Sequence, residues 1–382
     1  MASASAPNEM APSGQRPTAA SSSSSPSTLP PTSNFVLCGR HRTESGYPIP
    51  SELLANGSSR DEVMSIISSL TALESPLFDR NTTLQDSFWT QERYDDLRPA
   101  FKLATIIITH PSQLSFWHGI IGTAEEYLEH GVPDAPEIQT SETDLTESDE
   151  EMVLSFLNNV LAGRVIIRAA DVASSEEANT AAFEFESENQ REALFPNAPL
   201  SSGTYINFEA DGDYYACITV EREMVDEACA WHKPGRTVEE TRLRYLRLAT
   251  TIVHELVHAA CEFLLKRPLN LSDDPYYESE DAAEIGFAWE KFFWGGILRS
   301  SNDNKRVFLD KWPGEKVYWQ YADDDDLHTM ETRDDDPGKL DKRRPRYVPD
   351  EQWVRLFSDT YWSGYTESFT ECCEILDADQ SI

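Results

Sequence analysis

Residues 237–266 read TVEETRLRYLRLATTIVHELVHAACEFLLK. Thr237 and Glu240 match a capping box, the pair of side chains that marks the start of a helix. Neither Pro nor Gly occurs after them in this stretch, which predicts a helix of about 29 residues. Its apolar positions recur at helical spacing: Leu243, Leu246, Thr250, Val253, Val257, Ala260 and Leu264. We therefore expect one face of this helix to be buried along its whole length.

Beside the apolar face, the helix carries His254-Glu-Leu-Val-His258, an HExxH motif. Two histidines four residues apart lie on one face of a helix, so both can direct a ring nitrogen to one Zn²⁺ about 2.0–2.1 Å away. Zinc lowers the pKa of a water molecule to about 7, and Glu255 can take the proton as that water attacks a carbonyl group. The alternative is a pair of histidines satisfied by hydrogen bonds beside the core. Placement on a capped, half-buried helix favours the metal.

A zinc site needs at least a third protein ligand, and acidic residues follow the motif closely. Helical spacing of apolar residues predicts a second helix over residues 281–294, which Gly295-Gly296 ends. Glu280 and Glu284 are four residues apart, so one could bind the metal while the other holds a ligand histidine by its second ring nitrogen. The spacing leaves these two roles interchangeable. The remaining acidic residues are expected on a solvated face: Glu278, Asp281 and Glu290.

These motifs resemble the gluzincin branch of the zincin metallopeptidases, in which a later helix supplies a glutamate as the third ligand. A narrower resemblance, to a group of fungal metallopeptidases of unassigned substrate, covers residues 241–362. Its motifs are His254-Glu-Leu-Val-His258, Glu284-Ile-Gly-Phe-Ala-Trp-Glu290, the following Gly-Gly, Val348-Pro, Trp353-Val, Leu356-Phe and Tyr361-Trp362. The glutamate before the Ile-Gly dipeptide is the ligand in that group, which favours Glu284. Alignment with the Glu-x-x-x-Asp pattern of thermolysin-like enzymes favours Glu280 instead, and we assign Glu284 as the ligand and Glu280 to a supporting position beside it.

The resemblance implies a zinc-dependent peptidase, with a peptide or protein as substrate and Zn²⁺ as cofactor. It also implies that a strand preceding the HExxH helix forms the upper edge of the cleft, where an extended peptide would pair. Residues 204–208 and 214–220 are the two candidates for this strand. A Tyr or His would stabilise the oxyanion, and the spacing does not choose among Tyr318, Tyr321, His328, Tyr347 and Tyr361.

The rest of the chain predicts an α+β fold with a small, mostly antiparallel sheet. Strand candidates begin at Val165 and cover residues 182–186, 204–208 and 214–220, after a short helix over residues 151–162. Residues 1–34 are a Ser/Pro-rich tail that we expect to be disordered, and residues 35–133 form a helical N-terminal region. Residues 134–151 carry eight acidic side chains and no basic one, which predicts a linker. Residues 152–382 form the zincin-like domain, with a charged loop at residues 323–346.

Composition restricts the partners. The 382 residues include 67 Asp and Glu against 32 Lys and Arg, a formal net charge of −35, which disfavours nucleic acid as the main partner. The six cysteines lack CxxC spacing and are interpreted as reduced thiols. No apolar run approaches the roughly 18–20 residues of a membrane helix, and the first 34 residues lack the apolar core of a secretory signal. We therefore expect an intracellular protein, cytoplasmic or nuclear, without membrane contact.

Three alternatives to an active peptidase are open. A DNA-repair protease of the SprT type shares HExxH, but it usually takes a histidine as third ligand and needs basic DNA-binding elements, and neither is found in this sequence. A catalytically inactive zincin fold that serves as an interaction scaffold would carry the same residues. A helical scaffold without metal is the third.

Overall fold

The structure is a computed structural model, and it describes residues 64–65, 67–71, 74–80, 84, 88–133, 136–140, 145–171, 178–184, 214–269, 271, 274–278, 280, 283–300, 306–310, 346–348, 350–363 and 374–375. Contacts divide the chain into Met1–Glu44 and Ser45–Ile382, and every described residue belongs to the second unit. The predicted tail at residues 1–34, the strand candidate at 204–208 and the charged loop up to residue 345 lie outside the described residues.

The predicted HExxH helix is confirmed. This helix, α5, covers Val238–Cys261. It continues through a π-helical segment, Glu262–Lys266, and a short helical turn, Arg267–Leu269. Its capping box is complete: the Thr237 Oγ1 accepts from the Glu240 N–H at 3.1 Å, and Glu240 Oε2 accepts from the Thr237 N–H at 3.1 Å. In the described part of the chain, only residues 238–266 are long and apolar enough to cross a membrane, and 78% of their most apolar window is buried. This burial fits the core helix of a soluble protein.

Two long helices from the N-terminal region pack near α5. Helix α1 covers Gln91–Thr109 and α2 covers Pro111–His130, after a single 3₁₀ turn at Pro76–Phe78. Helix α1 packs along α5, and the Tyr245 hydroxyl of α5 donates a 2.7 Å hydrogen bond to the carbonyl of Asp96. The Trp89 indole donates to the carbonyl of Ile167 at 2.9 Å. The helical region thus shares one core with the HExxH helix.

A three-stranded mixed sheet covers another side of α5. Its strands are β2 (Val165–Ala170), β3 (Ala178–Glu184) and β4 (Tyr214–Glu221), in the order β2-β4-β3. Strand β4 runs parallel to β2 and antiparallel to β3. The prediction of strands after residue 165 and over residues 214–220 is therefore confirmed, while β3 begins at residue 178 and not at 182. The sheet is mixed and not mostly antiparallel as predicted, because β4 runs parallel to β2.

Part of the segment predicted as an acidic linker belongs to the folded unit. Strand β1 (Glu137–Ile138) pairs in parallel with β5 (Tyr276–Tyr277), and α3 begins at Glu147 and runs to Ser155 before a π-helical segment at Phe156–Leu161. The Ile138 side chain is fully buried. Apolar Ile138 gives this acidic stretch an anchor in the core, which its charge alone did not indicate.

The remaining elements complete an α+β fold, as predicted. Helix α4 (Arg222–Cys229) follows β4, and α6 (Ile285–Trp294) leads into a four-stranded antiparallel sheet in the order β6-β7-β8-β9. Its strands and the last two helices are β6 (Ile297–Ser300), β7 (Val307–Asp310), β8 (Arg346–Val348), α7 (Asp350–Arg355), α8 (Asp359–Ser363) and β9 (Glu374–Ile375). Among the described residues, no disulfide joins Cys217, Cys229 or Cys261.

Candidate metal centre

Helix α5 presents both motif histidines to the start of α6. Glu284 Oε1 lies 2.7 Å from His258 Nε2 and 3.3 Å from His254 Nε2. One ligand atom of His254, one of His258 and one of Glu284 all lie within 4.8 Å of one another. The part of the chain that the structure describes contains no other such group of His, Cys, Asp or Glu. Imidazole nitrogens and a carboxylate oxygen are donors that zinc accepts. The structure therefore brings together the three residues predicted as metal ligands.

Glu284 reaches the histidines from the N-cap position of α6. Its backbone is extended, and its Oε2 accepts a short hydrogen bond from the Phe287 N–H. This bond satisfies a backbone donor that the first turn of a helix leaves unpaired. Oε2 thus caps the N-terminus of α6 while Oε1 faces both imidazoles. These contacts fix the direction of the Glu284 side chain.

The predicted position of Glu280 beside the histidines is wrong. Helix α6 begins at Ile285 and not at Asp281, so Glu280 and Glu284 do not share a helical face. The buried Glu280 carboxylate instead lies 2.6 Å from the Lys291 Nζ, further along α6. Pairing with this ammonium group explains how an acidic side chain is buried there.

Two other carboxylates contact the second ring nitrogens of the histidines. Glu290 Oε1 lies 2.9 Å from His254 Nδ1, and Asp274 Oδ2 lies 2.9 Å from His258 Nδ1. A proton on each Nδ1 would be donated to these carboxylates, which leaves each Nε2 lone pair for a metal. Glu290 was predicted to be solvated, but it is 5% exposed, and its Oε2 accepts from the Leu298 N–H at 2.8 Å.

The π-helical segment at the end of α5 supports Asp274. Lys266 Nζ lies 3.3 Å from Asp274 Oδ1 and 2.8 Å from Glu262 Oε1. The ammonium group therefore compensates part of the negative charge that faces His258. A π-helical turn shifts the register of a helix, and here the shifted segment carries both Glu262 and Lys266.

The metal centre contains more carboxylates than imidazoles. Burial opposes protonation of His254, but Glu284 and Glu290 outweigh that effect and raise its pKa to about 10. Burial likewise opposes ionisation of Glu284, yet His254 and His258 hold its pKa far below its usual range. Three carboxylates thus surround two imidazoles, and they require either protons on the rings or a positive ion between them. This donor set fits a divalent metal.

Helix α6 also packs directly against the ring of His254. The ring of Phe287 contacts the His254 ring edge-on, with centroids 4.8 Å apart. Gly286 brings its backbone against the same imidazole, since a Cβ at that position would lie 2.6 Å from the Cδ2 and Cε1 of His254. Only glycine allows the two helices to approach this closely.

The general base predicted from the motif, Glu255, lies under strand β3. Its side chain is 6% exposed, and its Oε2 accepts a 2.7 Å hydrogen bond from the Thr180 hydroxyl. Residues 214–220, one of the two strands predicted for the cleft edge, form the central strand β4. The edge strand of this sheet that packs against α5 is β3. Nothing in the sequence around Thr180 indicates this contact.

The candidates for stabilising an oxyanion are not placed at the site. Tyr318, Tyr321 and His328 lie outside the described residues, and so does the side chain of Tyr347. Tyr361 packs against Trp362, with ring centroids 5.2 Å apart.

A comparison with known proteins finds no matching family model, no matching curated protein and no matching solved structure. The functional argument therefore rests on the residues and their geometry.

Proposed function

We propose that this chain is a zinc-dependent metallopeptidase, a hydrolase with a zincin-like fold that uses Glu255 as general base. One observation carries the proposal: His254, His258 and Glu284 converge, and a carboxylate stands behind each histidine. Two histidines that serve only to stabilise a fold do not need a carboxylate oxygen between their Nε2 atoms. A metal site needs this arrangement, together with partners that orient each imidazole.

Each residue then has a defined task. His254, His258 and Glu284 would hold the metal, while Glu290 and Asp274 keep the two rings in the required orientation. Bound zinc would supply Lewis acidity, lowering the pKa of water to about 7. Glu255 accepts the proton from the water that attacks the peptide carbonyl, and it later returns the proton to the leaving amine.

Strand β3 gives the substrate a place to bind. Among the described strands, β3 has β4 as its neighbour on one side, and it packs on α5 beside the motif. An extended peptide could add to this strand through backbone hydrogen bonds. The substrate is therefore a peptide or protein, and the acidic chain disfavours nucleic acid. We place the enzyme inside the cell, in the cytoplasm or nucleus.

The test combines zinc analysis with peptide cleavage. Purified protein should hold about one zinc per chain and should cleave members of a random peptide library. Glu255→Gln keeps the shape of the side chain but cannot accept the proton, so the variant should retain zinc and lose activity by a factor on the order of 10² or more. A zinc-loaded wild type that cleaves no peptide would instead identify an inactive scaffold, and absence of zinc would overturn the proposal.

A further inference from the structure

We infer that Thr180 is a positioning residue that orients Glu255 for proton transfer. This inference rests on the proposed peptidase function and assigns a role to a strand residue outside the HExxH motif. Thr180 lies in β3, opposite Ile218 of the central strand β4. Residues paired across two strands point to the same face of the sheet, and the Thr180 contact shows that this face is the one covered by α5.

The contact between Thr180 and Glu255 has two parts. The Thr180 hydroxyl lies 2.7 Å from Glu255 Oε2 and 3.1 Å from the backbone carbonyl oxygen of the same residue. Its single proton is shared between these acceptors, and the carboxylate contact is the shorter. The hydroxyl therefore fixes the glutamate side chain relative to its own backbone, which a contact to one atom alone would not do.

Orientation matters because Glu255 is a flexible side chain in a site that needs exact geometry. A glutamate loses rotational freedom about several bonds when its side chain is held in place. A misplaced catalytic group lowers the reaction rate steeply. The bond to Thr180 uses one carboxylate oxygen, so the other remains available for the proton of the attacking water. In the described structure, the Thr180 hydroxyl bonds to Glu255 and to none of the three proposed metal ligands.

The position of Thr180 also connects the substrate to the base. A peptide that pairs with β3 would restrain the backbone of this strand on either side of Thr180. Substrate binding would then hold the hydroxyl, and through it the Glu255 carboxylate, in the productive orientation. An interaction of this kind acts in the transition state more than in the bound ground state, so its loss lowers kcat more than it raises KM.

Two substitutions test the role of the hydroxyl. Thr180→Val keeps the β-branched shape and removes the donor, whereas Thr180→Ser keeps the donor and removes a methyl group. We expect Thr180→Val to lower kcat by about 10–100-fold with zinc content unchanged and the fold retained, and Thr180→Ser to retain most of the activity. The matched control is Thr219→Val, because Thr219 in β4 points to the opposite face of the sheet from Ile218 and should leave kcat unchanged.

A double variant shows whether the effect passes through Glu255. In a Glu255→Gln background, Thr180→Val should cause no further loss of kcat, because the group it positions is already disabled. Three results would each overturn the inference: an equal loss of kcat in both backgrounds, an unchanged kcat in the single variant, or loss of zinc from Thr180→Val. In each case an active wild type would leave the peptidase proposal intact. A zinc-loaded wild type without peptidase activity would overturn both.

Discussion

The His254 imidazole lies against the backbone of Gly286, so closely that a methyl group at residue 286 would meet the Nε2 first and would lie 2.6 Å from the Cδ2 and Cε1. Gly286 and Glu290 are four residues apart in α6, and Glu290 binds the Nδ1 of the same ring. One face of α6 therefore fixes both the depth and the rotation of a predicted metal ligand.

Gly286→Ala should displace His254 and weaken zinc binding. The methyl group cannot fit unless the ring moves, and overpacking of this kind costs about 1–3 kcal/mol. We expect zinc affinity to fall by more than about tenfold, measured by competition with a chelating dye. Gly122→Ala is the matched control: Gly122 also lies within a helix, α2, and no atom lies within 4 Å of an added Cβ. That variant should keep its zinc and gain about 1 kcal/mol of stability. Equal zinc affinity in both variants would contradict the contact.

His258→Ala should remove the metal and destabilise the protein. The substitution deletes one proposed ligand and leaves the half-buried Asp274 carboxylate with Lys266 but without its imidazole partner, a change that costs on the order of 2 kcal/mol. Zinc content by elemental analysis and the free energy of unfolding by denaturant titration measure the two effects. His118→Ala in α2 serves as control, since His118 lies outside the metal centre. Zinc retained by His258→Ala would exclude His258 as a ligand.

Glu284→Gln should lose zinc, whereas Glu280→Gln should keep it. Glu284 lies between both Nε2 atoms, while Glu280 pairs with Lys291. Both substitutions preserve side-chain shape, so zinc stoichiometry after dialysis distinguishes the two glutamates directly. The reverse result, with zinc lost only from the Glu280 variant, would restore the assignment suggested by the thermolysin-like spacing.

Asp274 and Glu290, which contact the Nδ1 atoms of the two histidines, should raise the affinity for zinc without changing the number of zinc ions bound per chain. Asp274→Asn and Glu290→Gln each replace an anionic acceptor of an Nδ1 proton, and the loss of such a partner weakens metal binding by about 10–100-fold. Zinc titration should therefore reach one equivalent at higher free metal. Unaltered affinity in both variants would mean that the rings are held by packing alone.

Acid should remove a stabilising contribution of Glu227. Lys233, and with it Arg236, holds the pKa of this carboxyl at about 2, against the usual 4.5, despite partial burial. Because the pKa is depressed in the folded state, the contribution is complete above pH 4.5 and is lost as the pH falls toward 2. Glu227→Gln should cost about 1 kcal/mol at pH 7, and the difference from wild type should shrink between pH 4.5 and pH 3. A constant difference in denaturant titrations would contradict this.

Local sequence signals predicted the parts of the site that depend on one helix. Thr237 and Glu240 marked the start of α5, and the i, i+4 spacing placed His254 and His258 on one face. Glu284 followed from the family resemblance, and in the structure its Oε1 faces the Nε2 atoms of both histidines. These features depend on helical periodicity, which is visible in the sequence.

The residues that sequence reasoning missed depend on contacts between distant segments. Asp274 precedes β5 without any periodic pattern, and Thr180 lies in a strand whose pairing with β4 no spacing indicates. Glu290 did offer a signal, as the one acid among the apolar residues of Ile285–Trp294. Its charge favoured a solvated position, but the carboxylate is buried and pairs with the His254 Nδ1 at 2.9 Å.

The pairing of β1 with β5 has a consequence for the order in which the molecule folds. The pairing joins residues 137 and 276, which are far apart in the sequence, on either side of α5. Contacts between such distant positions form slowly, because closing a long loop loses chain entropy before any contact rewards it. During synthesis, α5 with both histidines leaves the ribosome before β5 and Glu284. The nascent chain therefore passes through a stage in which both histidines have been synthesised and Glu284 has not. If the centre binds zinc as we propose, all three residues can hold the metal only after that stage.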